Sequence, residues 1–569
     1  MARLNFLLFV FFLVGALILA RLFYWQVLSF EELTLAAEQQ HFISFEVPAV
    51  RGRILASDSF PLVNNKAEYL VFASLSDLKE SPQRMASQLS PLLATEAAQL
   101  ETEIQIKDRL GREDLVWVPI NPRVSPQTKE SIEDLNLSGI GFEEVSARDY
   151  PEGSSSAHLL GFVGSDASGR DKGYFGIEGF YDWQLRGKAG MVRQEKDALG
   201  RPILVGKFGQ ESSSDGRDLV LFLDRAVQFM VEEKLKIGLE KTGAKAGSVI
   251  VMDPKTGGIL ALTAFPAYHP QEYAEYESKL FKNPVVADLF EPGSILKPII
   301  MASALNEGVV KSSTKCDRCS GPRFIGGYKI STFDDQYFPD STTTEIIERS
   351  DNIGMVFVAE ELGIDQTYRY LNDFGFSEKT GIDLEEETTN ELRPREQWRE
   401  IDLATASFGQ GVAFTRIQLV RAFSALANEG KIVVPRMVNK IIADGREIKA
   451  NDEKDRQVVK SSVAKVVTEM LVSATEKSPL HFPRDRIPGL KGYRIAAKSG
   501  TAEIPVAGEY DPEKTIASVI GFAPADNPRF VILVSLVEPS AKPWGSDTAG
   551  PIFFEILSDL FLYYGIQPG

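Results

Sequence analysis

The run LNFLLFVFFLVGALILA, from Leu4 to Ala20, holds one polar side chain, Asn5, and no charge in seventeen residues. A helix of this composition has no polar face to turn toward water. About 20 apolar residues rising 1.5 Å each cross the hydrocarbon core of a bilayer, where a helix satisfies its own backbone. After Arg21 the apolar character resumes as LFYWQVL through Leu28, with Tyr24 and Trp25 suited to an interface. A cleaved signal peptide is the alternative, but no A-x-A-like site closes the run and it exceeds a usual h-region. The expectation is a cytoplasmic stub over residues 1–3, a transmembrane anchor over residues 4–28, and an extracytoplasmic remainder, with Arg3 as the positive-inside cue.

The remainder has the composition of a folded chain. Of 569 residues, 44% are hydrophobic and 25% charged, enough for three to four domain-equivalents with their own cores. Disorder is excluded. Lysine and arginine number 62 against 79 acidic residues, a net charge of -17 that repels phosphate backbones, so nucleic acid is not an expected partner. Cys316 and Cys319 supply only half of a four-ligand zinc site, and His41, His158, His269 and His481 are scattered, so neither a metal nor another cofactor is expected. Outside the membrane the C-x-x-C closes a small disulfide or stays as two thiols in a turn.

Along the chain, HFISFEVPAVRGRILASDSFPLV (His41 to Val63) reads as strands and turns, opening a β-rich module. Apolar positions at three and four predict a helical insertion between about Ser76 and Asp134. Arg148–Gly164 and Gly173–Gly190 are dense in Gly, Tyr and Ser, which predicts ordered turns, and the polar GKFGQESSSDGRD (Gly206 to Asp218) marks the main boundary. Beyond it, helices alternate with apolar strands such as RFVILVSLV around a mostly antiparallel sheet, and FFEILSDLFLYYGI is expected to dock on that sheet.

Ser and Lys three apart on a helix share a face, so the amine reaches the hydroxyl. The pattern is cheap, and it occurs at Ser76/Lys79, Ser294/Lys297, Ser312/Lys315 and Ser462/Lys465. In FEPGSILKPIIMASAL the Pro292-Gly293 turn precedes the serine and sets Ser294 at a helix N-terminus, where the dipole favours developing negative charge. K-[ST]-G likewise occurs at Lys241, Lys255, Lys379 and Lys498, but only Lys498 ends a strand-like run, YRIAAKSGTAE. Between these lies Ser350-Asp351-Asn352. The order S-x-x-K, S-x-N, K-[ST]-G is the signature of serine β-lactamases and penicillin-binding proteins.

With RLFYWQVL, AVRGRI, YPEGSSSAHLLGFVG, GIEGFYDWQLRGKAG, AGSVIVMDPKTGGILAL and SFGQG (Ser407 to Gly411), the chain resembles the class B penicillin-binding proteins over nearly its whole length. It departs from them in RGRILASDSF, where D-R-x-G is common after R-G-x-I, and at Ile295, where Thr is common. The resemblance implies an α+β chain: an N-terminal membrane anchor, a β-rich pedestal or dimerisation-type module with a helical insertion over residues 29–210, and a penicillin-binding transpeptidase domain over residues 215–569. That domain would carry a serine β-lactamase-like antiparallel sheet with helices.

No histidine lies near the motifs, so the candidate base is Lys297, made neutral by burial and by cations such as Lys498. The resemblance implies that Ser294 attacks a terminal D-Ala-D-Ala of a peptidoglycan stem peptide, and that an amine from a neighbouring stem, on glycan strands derived from lipid II, resolves the acyl-enzyme. It implies an oxyanion hole from the N–H groups of Ser294 and Thr501, a proton relay at Ser350, and Asn352 beside Lys297. Lys498, Ser499, Gly500 and Thr501 would hold the substrate's carboxylate end. β-Lactam antibiotics would acylate Ser294. Further implied partners are a SEDS-family glycosyltransferase and a division or elongation complex, division being preferred.

Two other classes compete. A β-lactamase or DD-carboxypeptidase of the same fold is suggested by Glu386 and Asn390, which imitate a deacylating E-x-x-x-N loop. A catalytically silent penicillin-binding scaffold gives no reason to keep all three motifs.

Overall fold

The apolar residues near both ends of PLVNNKAEYLVFAS make it a long strand, β1 (Pro61–Ser74), which buries Leu62, Val63, Val71 and Ala73. It pairs antiparallel with β2 (Trp117–Val124) and β3 (Ile140–Asp149). Two helices lie between β1 and β2, α1 (Pro82–Leu93) and α2 (Gln99–Leu110). The first starts where the Ser81 hydroxyl accepts the Arg84 N–H and Pro82 fills the first turn, a position whose N–H has no helical partner. Met85, Leu89, Ile106 and Leu110 from these helices meet Val118 and Ile120 of β2 in one small core. Here the structure departs from the helical reading of residues 76–134, because Val118 and Ile120 alternate with exposed neighbours at a period of two. The Gly-rich stretches also contain short helices, Ala157–Leu160, Gly176–Phe180 and Asp182–Arg186. Gly161 ends the first at φ +74, where a Cβ would stand 2.1 Å from the Phe175 carbonyl oxygen.

The computed structural model describes residues 2–34, 42–112, 114–167, 169–195, 208–332, 335–449, 455–477, 487, 489–506 and 509–568. Its contacts define two units, Met1–Gly52 with Arg186–Gly216, and Arg53–Leu185 with Arg217–Gly569. The first unit contains the N-terminal helix Ala2–Phe23, continued by a π-helical turn at Tyr24–Leu28. Within Ala2–Leu28 an 18-residue window reaches a mean hydropathy of 2.7 with none of it buried, and the helix is long and apolar enough to cross a membrane as a single-pass anchor. Arg21 stacks its guanidinium 4.5 Å from the centroid of the Trp25 ring. The same unit holds a three-stranded antiparallel sheet of Phe42–Val47, Gly190–Glu195 and Phe208–Glu211.

In the second unit β1 to β3 belong to a seven-stranded sheet that continues through Ile54–Leu55 and Asp218–Leu221 to Val438–Ala443 and Arg446–Lys449. A separate five-stranded antiparallel sheet carries the Lys498-Ser499-Gly500 motif. It is built from β4 (Ala246–Met252), β5 (Ile259–Phe265), β6 (Ala496–Val506), β7 (Glu509–Ala523) and β8 (Phe530–Val537). Their spatial order is β5-β4-β8-β7-β6, so β6 is an edge strand. The strands are apolar on both sides because helices cover both. Helix α3 (Arg225–Thr242) is capped by Asp224, which accepts the N–H groups of Ala226 and Val227. The other face receives the helix Arg416–Ala427, and α4 (Lys297–Glu307), α5 (Thr343–Arg349) and α6 (Asn352–Leu362) share one core with it and with Ile250, Ile520 and Leu533. The C-terminal α7 (Ala549–Tyr563) docks as its composition predicts, burying Phe553, Phe554 and Phe561 against the side that α3 covers. Each such ring contributes on the order of 1.5–3 kcal/mol when buried.

Cys316 and Cys319 form a disulfide with both residues buried. The Cys316 N–H donates to the Ser341 carbonyl just before α5, so the small loop braces the start of the helix that leads to Ser350.

Candidate active site

Ser294 lies on a single 3-10 turn, Gly293–Leu296, that runs directly into α4. Gly293 makes the turn at φ +58, and its N–H donates to the Gly409 carbonyl at 3.0 Å. Gly409 must itself be glycine: at φ +84, a Cβ there would stand 2.1 Å from the Gly293 oxygen. From the other side Gly500 of β6 approaches Ile295, where a Cβ would lie 2.9 Å from the isoleucine Cγ2. Gly293, Ile295 and Leu296 are buried and Ser294 is half-exposed, so the hydroxyl-bearing residue is the one the turn leaves open.

One turn further on, Lys297 is fully buried. Its Nζ donates to the Ser350 carbonyl at 2.5 Å, to Asn352 Oδ1 at 2.7 Å and to Ser350 Oγ at 3.2 Å. Ser350 reaches it because it ends α5 in the left-handed region, φ 57 and ψ 37, after which Asp351 caps α6 through the Ile353 N–H. The kink between two helices aims both the Ser350 carbonyl and its hydroxyl at one amine. Asn352, the first residue of α6, is held from behind by its amide, which donates to the Ser331 carbonyl at 3.3 Å.

Lys498 arrives from β6, buried, with Nζ donating to Ser350 Oγ at 2.9 Å and to the Ser499 carbonyl at 3.0 Å. The Ser350 hydroxyl therefore bridges two lysine amines. Burial alone brings the Lys498 ammonium down to about 7. Lys297 is pushed well below the ordinary lysine range, first by burial and then by the Lys498 cation, while the Asp351 carboxylate pulls the other way. Two buried ammonium groups sharing one hydroxyl repel, so the cluster favours shedding a proton. Ser499 and Gly500 follow on the strand, and Thr501 Oγ1 accepts the Gly545 N–H at 3.1 Å.

Three of the four S-x-x-K matches and three of the four K-[ST]-G matches lie elsewhere. Lys255 is in the turn joining β4 to β5, and Gly243, after Lys241, ends α3 at positive φ. The imitation of a deacylating loop also dissolves. Glu386 takes its carboxylate to the N–H groups of Gly176 and Asn283, burial raises it to about 7, and Asn390 is exposed. His158 is buried with Nε2 against the Leu280 carbonyl and is pushed down to about 4. His41 and His481 lie outside the described residues. Among the described residues no group of three His, Cys, Asp or Glu could hold a metal ion.

The motif reading missed the structural partners of the nucleophile turn. Gly409 and Gly411 stand in the SFGQG segment, whose glycine density was a signal without an address, and Glu291 lies three residues before Ser294. Glu291 Oε1 accepts the Gly411 N–H at 3.0 Å, and both its oxygens lie 3.1 Å from the Tyr510 hydroxyl.

Known proteins resemble this chain in sequence and in fold. The penicillin binding protein transpeptidase domain matches residues 247–558, and the penicillin-binding protein dimerisation domain matches residues 46–221. A probable peptidoglycan D,D-transpeptidase PenA of Neisseria gonorrhoeae is 29% identical over 568 residues, covering 100% of this chain and 93% of that protein. Stage V sporulation protein D of Bacillus subtilis is 30% identical over 568 residues, covering 100% of this chain and 86% of that one. A solved peptidoglycan synthetase from Bifidobacterium adolescentis superposes with a TM-score of 0.74 at 26% identity, covering 93% of this chain and 98% of that structure. With both domains present in order and a relative similar from end to end, the chain belongs to the class B penicillin-binding proteins.

Proposed function

We propose that the chain is a peptidoglycan D,D-transpeptidase in which Ser294 is the nucleophile and Lys297 its base. The observation that carries the assignment is the meeting of Lys297 and Lys498 on the Ser350 hydroxyl, with Asn352 completing the acceptors around Lys297. In the first step Ser294 Oγ forms a bond to the carbonyl carbon of the penultimate D-Ala while its proton passes to the neutral Lys297 amine. The amide C–N bond then breaks, and the proton moves through Ser350 to the departing D-Ala nitrogen. An amine from a second stem peptide attacks the ester, transfers its proton back through the same groups, and restores Ser294.

The edge position of β6 supports substrate binding by strand addition, with Lys498, Ser499, Gly500 and Thr501 beside the carboxylate end. The N–H groups of Ser294 and Thr501 serve as the oxyanion hole; a lost donor in such a site costs about 2.7–4 kcal/mol. A β-lactam presents the same carbonyl and carboxylate, and acylates Ser294 without a departing fragment. The anchor, residues 4–28, keeps the enzyme on the membrane with the pedestal (29–210) and the transpeptidase domain (215–569) on the cell-wall side. There a SEDS-family glycosyltransferase working on lipid II supplies the glycan strands, and division is the preferred setting.

Intact mass of the full chain in detergent after incubation with benzylpenicillin, beside Ser294→Ala, tests this reading. A single long-lived adduct absent from the variant is expected. Rapid loss of the adduct with hydrolysed drug would make the protein a hydrolase, and no adduct on folded wild type would make it a scaffold.

A further inference from the structure

The outer half of the β6–β7 hairpin runs well past the K-S-G-T segment, pairing Glu503 with Thr515 and Pro505 with Tyr510. Its far end is distant in sequence from Ser294 and Ser350. Yet Tyr510, exposed on β7, places its hydroxyl 3.1 Å from each oxygen of Glu291, three residues upstream of Ser294. The same carboxylate accepts the Gly411 N–H at 3.0 Å. Two residues before Gly411, Gly409 is bonded to the nucleophile turn itself, and three after it Phe414 pairs with Phe290. Glu291 thus joins the nucleophile turn, the SFGQG loop and the distal hairpin at one side chain. Its partial burial raises its pKa, and burial together with the facing carboxylate pushes the Tyr510 phenol up to about 12, so the phenol remains a donor at neutral pH.

We propose that Glu291 and Tyr510 form a latch that holds the distal β6–β7 hairpin against the Ser294 turn and so positions β6 for acylation. The inference rests on Ser294 being the nucleophile. Neither residue touches the reacting atoms: Glu291 acts through the turn and through Gly411, and Tyr510 acts through Glu291 and through the Gly411 N–H that its hydroxyl also faces. A hydroxyl donating to a carboxylate is among the stronger neutral-to-charged hydrogen bonds, and it spans two segments that no chain connection keeps together. With the latch open, the outer half of β6 keeps its ladder with β7 and loses this tie to the nucleophile turn, an arrangement with more freedom than a site that must align a substrate strand within a fraction of an ångström tolerates.

The test uses full-length protein in detergent as wild type, Tyr510→Phe, Glu291→Gln and the double variant, each with and without Ser294→Ala. Benzylpenicillin acylation is resolved into the initial complex and the acylation step, and hydrogen–deuterium exchange is followed over Ala502–Ile516. Tyr510→Phe is expected to slow the acylation step about five- to tenfold with the initial complex changed less than twofold, and to raise exchange in the hairpin but not in α4. The double variant is expected to lose less than the sum of the two single losses, because the phenol and the carboxylate meet at one shared contact with each other and with the Gly411 N–H. Acylation rates within twofold of wild type in Tyr510→Phe, or additive losses in the double variant, overturn the latch. If Glu291→Gln fails to fold, Tyr510→Phe still decides, since it removes one exposed hydroxyl and nothing from the core. Acylation that persists in Ser294→Ala would instead refute the nucleophile assignment, and the hairpin exchange, which needs no chemistry at Ser294, reports on the latch separately.

Discussion

Replacing Lys498 with methionine keeps most of the length of the side chain and removes a charge from a buried position. In the unfolded chain this amine holds its proton up to 10.5, whereas in the fold it does so only up to about 7. At about 1.36 kcal/mol per pH unit the difference disfavours the charged folded form by about 5 kcal/mol. The sign follows from proton counting: between those values the unfolded chain binds the extra proton, so stability rises with pH. The group's full contribution is present above 10.5 and is lost as pH falls through about 7. Against this, methionine forfeits the hydrogen bonds to Ser350 Oγ and to the Ser499 carbonyl, each about 1–1.5 kcal/mol. At pH 6 Lys498→Met is therefore expected to be about 2 kcal/mol more stable than wild type, and near pH 10 to be less stable, with a crossover between. Urea unfolding of the full chain in detergent, followed by the fluorescence of tryptophans including the buried Trp398, measures both ends. The same variant acylates far more slowly, and its acid limb moves to higher pH because Lys297 has lost the cation that helped strip its proton. A variant less stable at both pH values, or a stability difference that ignores pH, would refute the claim that burial strains this lysine.

Three further outcomes are expected. Asn352→Ala removes the acceptor 2.7 Å from Lys297 Nζ and should slow benzylpenicillin acylation roughly 10- to 100-fold, the kinetic value of a hydrogen bond to a charged group, with stopped-flow rates as the check. Glu386→Gln should leave the lifetime of the penicillin adduct unchanged. Because burial raises that carboxyl from 4.5 to about 7 in the fold, its stability contribution is present below 4.5 and lost as pH rises through 7, so the stability of the glutamine variant relative to wild type should be about 3 kcal/mol more favourable at pH 8 than at pH 4, measured by urea unfolding. Changing Cys316 and Cys319 together to alanine opens a loop of sequence separation 3, for which chain entropy predicts a loss of about 2 kcal/mol; a larger loss in the same assay would mean that the loop also braces α5 enthalpically.

The chemistry of this chain is local in sequence, and that is why so much of it was legible. Pro292-Gly293 separated the S-x-x-K that the fold brings to Ser350 and Lys498 from three others because a turn before a helix is written in adjacent residues, and the strand-like YRIAAKSGTAE did the same for Lys498. The apolar run ahead of Arg21 and the docking of α7 were equally readable from composition. What composition did not carry were contacts between distant segments. Gly409 against Gly293, and Tyr510 against Glu291, depend on how loops close, and no spacing rule links 291 to 510. Strand β2 was misjudged for a different reason: its short apolar repeat follows two real helices, and a helical period carried over by one turn absorbs Val118 and Ile120. Glu386 shows the converse error, a spacing that matched a catalytic loop while the side chain served two backbone amides at Gly176 and Asn283.

The strand order of the five-stranded sheet has a consequence for how the protein is made. Val249 of β4 lies opposite Val534 of β8, so the centre of the sheet joins the beginning of the domain to nearly its end. During vectorial synthesis Ser294, Lys297 and Ser350 all emerge long before the strands that complete their surroundings. Closing so long a loop costs entropy before any pairing repays it, which makes this sheet a late and slow event. A nascent chain therefore carries Ser294 without its full surroundings until β8 has been made. A product truncated before Phe530 lacks the strand that seats both β4 and β7, and remains inert toward penicillin however complete its three motifs are.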